Sequence, residues 1–412
     1  MTNSLYYNIV ITGFGCISAA GNNVEQFSQT IFSEPKNDSN TITPITRFDT
    51  SNITTKIAAE VKNYCPQEHF NKTQLKQLDR FSQFALLATD EAILSADLHL
   101  SPTTAARTCV IYGTSIGGQE TIEQAYQQYY GQNQKRPHPF TVPKLLPSSA
   151  SSQISMKYGI TGPSFATSSA CASSGHAIAM AVLMLRTGMV NVAIVGGSEA
   201  CITAGNFQAW EGLRVLSNDT CRPFSANRSG LVIGEGAGSL ILETQQHAQQ
   251  RNAKIYAQLV GVGMSSDAHN IVQPLAQGAQ QAMQAALNDA NLSAEKIDYI
   301  NAHGSGTLQN DMSETQAIHH TFKQHAQQLV ISSTKAVHGH VLGAGAAIES
   351  IATILALQKQ CLPATHNYQQ VDHQCDLNYL TDGVVNRNIN YGMSNSFAFG
   401  GQNCSLIYTR ST

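Results

Sequence analysis

The feature that most constrains this fold is an order of strand, loop and helix patterns that occurs twice along the chain. The first half places its strand patterns at 8–15, 106–118, around 165 and at 190–200, and the second half at 255–263, 296–307, around 329 and from 389. In each half an Ala- and Gly-rich helix follows the third strand. Strands that alternate with helices predict parallel sheets covered on both faces, and a period of about 200 residues is too long for a solenoid. We therefore predict an α/β fold with an internal duplication, its two halves packed face to face.

The boundary between the halves is expected in the polar stretch 244–254, which gives an N-terminal half of residues 1–250 and a C-terminal half of residues 251–412. Two segments of the first half, 35–75 and 119–160, are richer in Pro, Asn, Gln and Tyr. Long irregular segments of this kind commonly carry function, so we predict that they roof an active site.

Composition excludes several classes of protein. The chain has 412 residues, a formal net charge of -3 and only 12% charged residues, so no basic field predicts a nucleic-acid partner. Its nine cysteines include no CxxC pair, which favours reduced thiols and a cytoplasmic location. There is no basic segment followed by an apolar one at the N-terminus, and no run of 18 apolar residues, so we predict neither export nor a membrane span.

Cys171 stands where a strand pattern gives way to a long apolar helix. The segment 168–176 reads SSACASSGH, and the helix pattern after it has no charge until Arg186. We predict that Cys171 lies in the first helical turn, where unpaired N–H groups and the helix dipole would lower the pKa of the thiol toward neutrality. From this segment alone, a buried structural cysteine is an equally good interpretation.

Two histidines occupy the corresponding positions of the second half. His303 follows a strand in NAHGSGT, and His340 lies in STKAVHGH, whose place in the repeat matches that of Cys171. A lone loop histidine is usually solvated or structural. Two at the ends of duplicated strand motifs predict a Cys-His-His site where the halves meet.

Five segments together resemble the β-ketoacyl-acyl carrier protein synthases of the thiolase superfamily, over nearly the whole chain. They are SSACASSGHAI around Cys171, RPFSANRSGLVIGEGAG at 222–238, NAHGSGTLQND at 301–311, STKAVHGHVLGAGAAIE at 333–349, and NSFAFGGQNCSLI at 395–407. The resemblance implies five layers (α-β-α-β-α) and an elongating ketosynthase. Such an enzyme needs no cofactor of its own, because its substrates arrive on the phosphopantetheine of an acyl carrier protein.

The same resemblance implies roles for individual residues. Cys171 would accept the acyl chain, and His303 and His340 would hold the thioester carbonyl of a malonyl unit as it decarboxylates. Neutral imidazole N–H groups stabilise the enolate oxygen in the manner of an oxyanion hole. The N–H groups of Cys171 and Phe399 would form a second oxyanion hole for condensation, and ping-pong kinetics should follow.

Lys335 and Glu349 match supporting positions of the family, where a buried ammonium and carboxylate would orient the histidines. A solvated loop lysine is the alternative for Lys335. We expect no metal, although Asn301, Glu314 and Glu349 could hold a structural cation.

Phe399, in the string Phe397-Ala398-Phe399-Gly400-Gly401, matches the family's gating phenylalanine. Ala398 and Gln402 replace the usual Gly and Thr, which we expect to narrow the conformations of this loop. Leu231, where many members carry a second phenylalanine, and Ile116 are predicted to line the acyl pocket. A core isoleucine remains the alternative for Ile116.

The linker 214–224, Trp210 and the HGH at 338–340 look more like specialised synthases, such as those of aryl polyene or nodulation-factor acyl chains, than like housekeeping enzymes. The resemblance therefore predicts a dedicated pathway with an unusual, polyunsaturated chain. Housekeeping fatty acid elongation is the alternative.

Carrier proteins are acidic, so basic residues should dock them. Lys72, Lys76 and Arg80 recur at helical spacing, and Arg214 falls where the family places a contact arginine. A solvated charged face is the alternative, and Lys76 and Arg214 are the favoured docking residues. The resemblance also implies a homodimer, or a heterodimer with a chain-length-factor-like subunit.

Three other functions compete. Gly113-Thr114-Ser115-Ile116-Gly117 matches the serine hydrolase pattern G-x-S-x-G. A chain-length-factor-like partner would keep the fold without the nucleophile, which the retained cysteine and histidines argue against. A degradative thiolase would use a Cys-His-Cys set, but Cys404 looks like the start of the closing strand.

Overall fold

A computed structural model describes residues 8–34, 41–132 and 136–410. Its strands, in chain order, are β1 (Ile9–Ser18), β2 (Thr43–Pro44), β3 (Ile57–Ala58), β4 (Thr108–Gly113), β5 (Ser164–Thr167), β6 (Val192–Glu199), β7 (Gly236–Thr244), β8 (Ala257–Ser266), β9 (Tyr299–Asn301), β10 (Val330–Ser332), β11 (Cys361–Leu362), β12 (Val385–Asn386), β13 (Tyr391–Ala398) and β14 (Gln402–Arg410). Its α-helices are α1 (Val24–Ile31), α2 (Pro66–His69), α3 (Lys72–Leu75), α4 (Arg80–Ala96), α5 (Pro102–Ala106), α6 (Gln119–Tyr126), α7 (Thr141–Leu145), α8 (Ser149–Tyr158), α9 (Ser173–Arg186), α10 (Ala204–Gly212), α11 (Gln245–Gln250), α12 (Ala276–Asp289), α13 (Leu308–Phe322), α14 (Lys335–His338) and α15 (Gly345–Lys359).

Ten strands form one sheet in the order β10-β9-β13-β14-β8-β1-β7-β6-β4-β5. Counted outward from the β8/β1 seam, the first half runs β1, β7, β6, β4, β5 and the second β8, β14, β13, β9, β10. Each strand of one half thus has its counterpart at the same place in the other. This symmetric order confirms the predicted internal duplication.

Two details differ from the expectation. The halves are not only packed on each other but also joined, because β1 pairs with β8 from Ile9–Leu259 to Ile11–Ala257. The sheet is mixed rather than parallel, since β7 runs antiparallel to both β6 and β1. The reason is the connection from β6 to β7: the chain turns through α10 and re-enters the sheet from the end it left, with no crossover.

Helices α9 and α15 pack against each other and against strands of both halves, so they form the middle layer. Helices α4 and α8 cover one outer face, and α12 and α13 the other. Residues 345–357 of α15 are all buried. A helix that is apolar on every side is stable only in such an interior position, which explains its Ala-, Ile- and Leu-rich sequence.

The two segments predicted to roof an active site, 35–75 and 119–160, take different positions in the structure. In the described part of the first, 41–75, Phe48 packs on Phe207 of α10 beside the hydrophobic cluster that contains Cys171, as a roof should. In the second, α8 instead packs under α4 and against β4 and β5, because Ala150 and Ile154 are buried there. Residues 35–40 and 133–135 of these segments lie outside the described residues. Nowhere in the described ranges is a helix both long and apolar enough to cross a membrane.

Candidate active site

Cys171 lies in a tight turn between β5 and α9. The turn reverses at Ala170, whose φ of 48° is a left-handed conformation that costs a non-glycine residue roughly 1–2 kcal/mol. The hydroxyl of Ser173 donates to Ala170 O and accepts from Ser169 N–H at 2.7 and 2.9 Å, which fixes the turn. Because α9 begins at Ser173, the prediction that Cys171 lies in the first helical turn was wrong, and the cysteine precedes the helix by two residues.

The thiol of Cys171 is 7% exposed. Burial raises its pKa to about 12, against the opposing effects of the Lys335 charge and of a hydrogen bond from the Phe399 backbone N–H. The carboxylate of Glu199 raises this pKa further. The expected lowering of the pKa toward neutrality is therefore wrong for the unliganded site, since desolvation outweighs the helix terminus. Cys171 rests as a thiol.

His303 follows β9 in a loop that reaches the same cavity as Cys171. Its backbone N–H and that of Gly304 donate to the two carboxylate oxygens of Glu314, both at 2.8 Å. Gly304 has a φ of 38°, which lets the chain turn sharply after the histidine. Glu314 thus holds the backbone of this loop.

His340 follows α14 and Gly339, whose φ of 69° redirects the chain. Its backbone N–H donates to Val232 O at 2.7 Å, so the histidine is anchored to the first half. Its Nδ1 accepts the N–H of Leu342 at 3.2 Å. An accepting Nδ1 leaves the proton of a neutral ring on Nε2, so Nε2 is the available donor.

The rings of His303 and His340 meet edge to face, with centroids 5.3 Å apart. Burial lowers the pKa of both rings well below 6.5, and the Lys335 charge lowers both further. The His340 ring also lowers the pKa of His303, and the His338 ring that of His340. Both imidazoles are therefore neutral at physiological pH. Neutral rings can donate one N–H each to a single developing oxyanion.

Lys335 lies on α14 with its side chain fully buried, which rules out the solvated alternative. Its ammonium donates to Glu349 of α15 in a pair whose two side chains are each 1% exposed. Burial raises the pKa of Glu349 to about 7, against the opposing effect of Lys335. The pair places a fixed positive charge next to the two histidines.

One small cavity of about 60 Å³ brings these groups together. Its lining contains Cys171, both histidines and the loop Phe399–Gly401, together with Trp210, Val215, Leu231, Asn270, Ile271, Val272, Gln273, Pro274, Ser305, Thr307, Gln309, Asn310, Phe397, Ala398 and Asn403. The structure thus gathers Cys171, His303, His340, Phe397, Phe399, Gly400 and Leu231 from their separate predicted positions into one cavity.

The loop Phe399–Gly401 connects β13 to β14 as a three-residue hairpin turn, since Ala398 pairs with Gln402. Gly400 and Gly401 have φ values of 81° and 67° and so occupy the positions that need glycine. Ala398 ends an extended strand, where alanine is not strained. Its replacement of the family's glycine therefore does not narrow the turn in the way we expected.

Only one of the two residues predicted to line the acyl pocket lies in the cavity wall. Leu231 is buried and lines the cavity with Cys171. Ile116 lies in the loop after β4, 37% exposed and outside the described lining of the cavity. In this chain it is neither a core residue nor part of the cavity wall.

Three of the four predicted docking residues are exposed, and the fourth is paired inside the protein. Lys72, Lys76 and Arg214 are exposed, and Arg214 directly precedes Val215 of the cavity lining. The expected continuous helix is wrong, because α3 ends at Leu75 and α4 begins at Arg80. Arg80 forms an ion pair with the buried Glu235 at 2.6 Å and is 10% exposed, so it is occupied inside the protein.

Asn301, Glu314 and Glu349 are buried beside the histidines, but Glu314 and Glu349 are occupied by backbone N–H groups and by Lys335. Across the described ranges no group of three or more His, Cys, Asp and Glu side chains is arranged to hold a metal ion.

Glu199, at the end of β6, is a buried residue that sequence reasoning missed. It accepts from Ser115 N–H at 2.7 Å, from Gly343 N–H at 2.9 Å, from the Thr114 and Ser115 hydroxyls, and from Cys201 Sγ. A lone carboxylate after a buried strand, in GGSEA, was the available signal. Ser115 is thus held by a carboxylate, where a serine hydrolase needs a histidine.

Cys404 lies within β14, 1% exposed, and packs against Gly175. It is a core residue of the closing strand, as its sequence position indicated, and contributes nothing to the cavity.

Comparison with known families covers both halves. Residues 7–248 match the family model "Beta-ketoacyl synthase, N-terminal domain", and residues 256–369 match "Beta-ketoacyl synthase, C-terminal domain".

Individual relatives match over nearly their full lengths. The chain is 42% identical to Nodulation protein E of Rhizobium sp. (strain N33), over 97% of this chain and 98% of the relative. It is 39% identical to 3-oxoacyl-[acyl-carrier-protein] synthase 2 of Staphylococcus aureus (strain COL), over 98% of each. Among solved structures, the ishigamide ketosynthase/chain length factor superimposes with a TM-score of 0.93 at 29% identity, over 99% of this chain and 100% of that one.

Proposed function

The chain belongs to the β-ketoacyl synthase family and is a condensing enzyme of the β-ketoacyl-acyl carrier protein synthase type, and from that premise we propose that Cys171, His303 and His340 carry its reaction. The observation that carries the proposal is their convergence. One thiol, two neutral imidazoles and the Phe399 N–H face one cavity, and the three reactive side chains are 7%, 3% and 2% exposed.

The first half-reaction transfers an acyl chain to Cys171. The sulfur attacks the thioester carbonyl of the acyl carrier protein, the bond to the phosphopantetheine sulfur breaks, and the Cys171 proton leaves with the released thiol. We assign stabilisation of the tetrahedral oxyanion to the Cys171 and Phe399 N–H groups, because Phe399 lines the cavity with Cys171 and its N–H interacts with the sulfur. The Lys335 charge favours the thiolate as it forms.

The second half-reaction begins with a malonyl thioester whose carbonyl oxygen accepts from His303 and His340. The bond to the carboxylate breaks, CO₂ leaves, and its electron pair forms an enolate. Two N–H donors from neutral rings stabilise that oxyanion by about 3 kcal/mol each, and their low pKa keeps them neutral throughout.

The enolate carbon then attacks the acyl-Cys171 carbonyl, and collapse of the tetrahedral intermediate releases Cys171 as a thiolate, which regains a proton. The product is a β-ketoacyl chain two carbons longer on the carrier protein. Exclusion of water matters at this step, since an exposed enolate would simply be protonated. The near-complete burial of the three groups supports that exclusion.

No cofactor enters this proposal, because the release of CO₂ from the malonyl unit drives the step and the phosphopantetheine arrives with the substrate.

A specialised acyl chain is the proposed substrate, with housekeeping elongation as the alternative. The support is the match to Nodulation protein E at 42%, against 39% for the synthase 2, and the presence in the cavity lining of Leu231, which is smaller than the usual phenylalanine.

An acidic carrier protein is the proposed partner, held by the exposed Lys76 and Arg214, with Lys72 on the same segment as Lys76. Of these residues, Arg214 adjoins Val215 of the cavity lining. A second subunit is also proposed, either another copy or a chain-length-factor-like chain. Its support is a set of exposed aromatic side chains in the segment 119–160, namely Tyr126, Tyr129, Tyr130 and Phe140.

A cytoplasmic location is proposed as well. All nine cysteines lie in the described ranges and none of them forms a disulfide, which is consistent with that location.

Intact-protein mass spectrometry tests the proposal. Incubation with an acyl-carrier thioester should add one acyl mass, and malonyl-carrier protein should then discharge it as the β-ketoacyl product. Cys171→Ala should lose both steps, whereas the matched control Cys65→Ala, which changes an exposed cysteine, should keep them. A Cys171→Ala protein that still elongates a primer would refute the assignment.

A panel of saturated, monounsaturated and conjugated thioesters of one length, applied to the same assay, separates the specialised pathway from the housekeeping one. Equal rates for all three would favour housekeeping elongation.

A further inference from the structure

Trp210 is the one tryptophan of the chain, and its indole stacks on the ring of Phe399. The ring centroids are 5.8 Å apart and the planes are inclined by 26°. Both rings line the cavity that contains Cys171. The stack joins α10 of the first half to the hairpin turn of the second.

Substrate access requires this hairpin turn to move. Cys171, His303 and His340 are almost inaccessible, and the Phe399 N–H interacts with the Cys171 sulfur. A thioester on a phosphopantetheine arm has to reach that sulfur, so the Phe399–Gly401 turn must leave it. Glycine at both of its later positions makes that change of backbone conformation inexpensive.

The contacts that hold the turn come from two directions. From the second half, Gly400 N–H donates to Ile271 O and Asp267 N–H donates to Gly401 O, both at 2.8 Å. These bonds hold the glycine backbone and do not involve the Phe399 side chain. Trp210 supplies the aromatic surface on which that side chain rests.

Helix α10 is anchored at its start and along its buried face by contacts that do not involve the turn. Phe207, one helical turn before Trp210, is fully buried and packs on Phe48 at 5.5 Å. At the start of the helix, the Glu123 carboxylate accepts from the N–H groups of Gly205 and Asn206. Movement of Phe399 therefore breaks its stack with Trp210 instead of carrying the indole along.

We propose that Trp210 is a positioning residue that holds the Phe399 turn closed over Cys171 until an acyl chain occupies the cavity. This inference rests on the proposed function. The closed turn would ensure that Cys171 is acylated before a malonyl thioester is decarboxylated. A malonyl thioester that reached His303 and His340 first would lose CO₂, and its enolate would take a proton and leave as an acetyl thioester. The stack makes that wasteful opening rarer.

The first test measures acetyl-carrier protein formed from malonyl-carrier protein without any acyl primer. Trp210→Ala should raise this unprimed rate about 2- to 10-fold, the range that loss of one aromatic stack produces, and lower the yield of condensation product per CO₂. Trp210→Phe keeps a stacking ring and should restore most of the coupling. Unchanged coupling in Trp210→Ala, or a Trp210→Phe protein as uncoupled as Trp210→Ala, would overturn the proposal.

The second test does not depend on condensation, so it separates failure of this inference from failure of the proposed function. Alkylation of Cys171 with a long-chain iodoacetamide loads the cavity chemically, and fluorescence of the single tryptophan reports the loss of the stack. A change is expected with the long-chain reagent and not with iodoacetamide itself, and it should be absent in Phe399→Ala and Cys171→Ala. If the fluorescence spectrum stays the same after alkylation of Cys171 has been verified, the proposed role of Trp210 would be refuted even in an active enzyme.

Discussion

The imidazoles of His303 and His340 lie edge to face 5.3 Å apart, although 37 positions of the chain separate them. Each ring is buried and neutral, and Leu342 N–H fixes the proton of His340 on Nε2. Two N–H donors on one oxygen would suit an enolate better than either would alone. We therefore assign the histidines to decarboxylation, a proposed role distinct from that of the thiol that accepts the acyl chain.

Replacement of either histidine should therefore separate the two half-reactions. His303→Ala or His340→Ala is expected to slow malonyl decarboxylation by about 10²–10³-fold, the usual cost of one oxyanion donor. Acylation of Cys171 in a single turnover should change much less. Radiolabelled CO₂ release and intact mass measure the two steps. Loss of acylation with persisting decarboxylation would reverse the assigned roles.

The reactivity of Cys171 in the unliganded protein should rise steadily with pH. Burial raises the thiol pKa to about 12, so near neutral pH the thiolate is a minute fraction that grows about tenfold per pH unit. Iodoacetamide labelling of Cys171, followed from pH 7 to 10 by peptide mass, should climb without a plateau. The exposed Cys65 serves as the internal control. A plateau near pH 7 would instead mean that the helix terminus governs this thiol.

The Lys335–Glu349 pair should be costly to break on one side. Lys335→Met leaves a buried carboxylate without its partner and is expected to lower the free energy of unfolding by about 3–5 kcal/mol. The double variant Lys335→Met/Glu349→Leu removes both charges and should recover most of that loss. Urea denaturation measures both variants. If the double variant is as unstable as the single one, the ammonium supports the fold through packing and not through this carboxylate.

Carrier-protein docking should distinguish exposed from internal basic residues. Lys76→Glu and Arg214→Glu are expected to raise KM for the acyl-carrier protein up to about fivefold each, the range of an exposed ion pair, without changing stability. Their turnover of a small pantetheine thioester should equal that of the unchanged protein, because that substrate needs no docking surface. An equal loss with both substrates would argue against docking.

Arg80→Ala provides the contrast. It leaves Glu235 buried without its partner, so it should destabilise the fold by about 3–5 kcal/mol with little specific effect on the carrier protein.

Sequence patterns predicted the duplication well because the apolar residues of each strand and helix indicate which elements are buried. The apolar strands and the uncharged helix pattern after Cys171 could only be interior elements, and the repeated order located Cys171, His303 and His340 at corresponding ends of strands. The antiparallel course of β7 was missed, since the chain between β6 and β7 carries no local signal for the direction in which it returns.

Residues whose role depends on partners from distant segments were harder to predict. Arg80 looks like Lys76 in sequence, but only the fold shows that a buried Glu235 lies beside it. Glu199 gathers donors from 114–115, Cys201 and Gly343, and Trp210 meets a ring 189 positions away. Such contacts are absent from any window of sequence.

The sequence by itself determined the α/β duplication and singled out the candidate nucleophile and the two candidate histidines, because hydrophobic periodicity and residue chemistry are local properties. Only the tertiary structure decided how those groups behave. The Cys171 pKa rises because the packed halves exclude water, His340 acquires its tautomer from the turn at Leu342, and Phe399 rests on Trp210 because the fold brings α10 beneath the β13–β14 turn. Desolvation and long-range packing exist only once the chain has folded, and they set the electrostatics and access of this site.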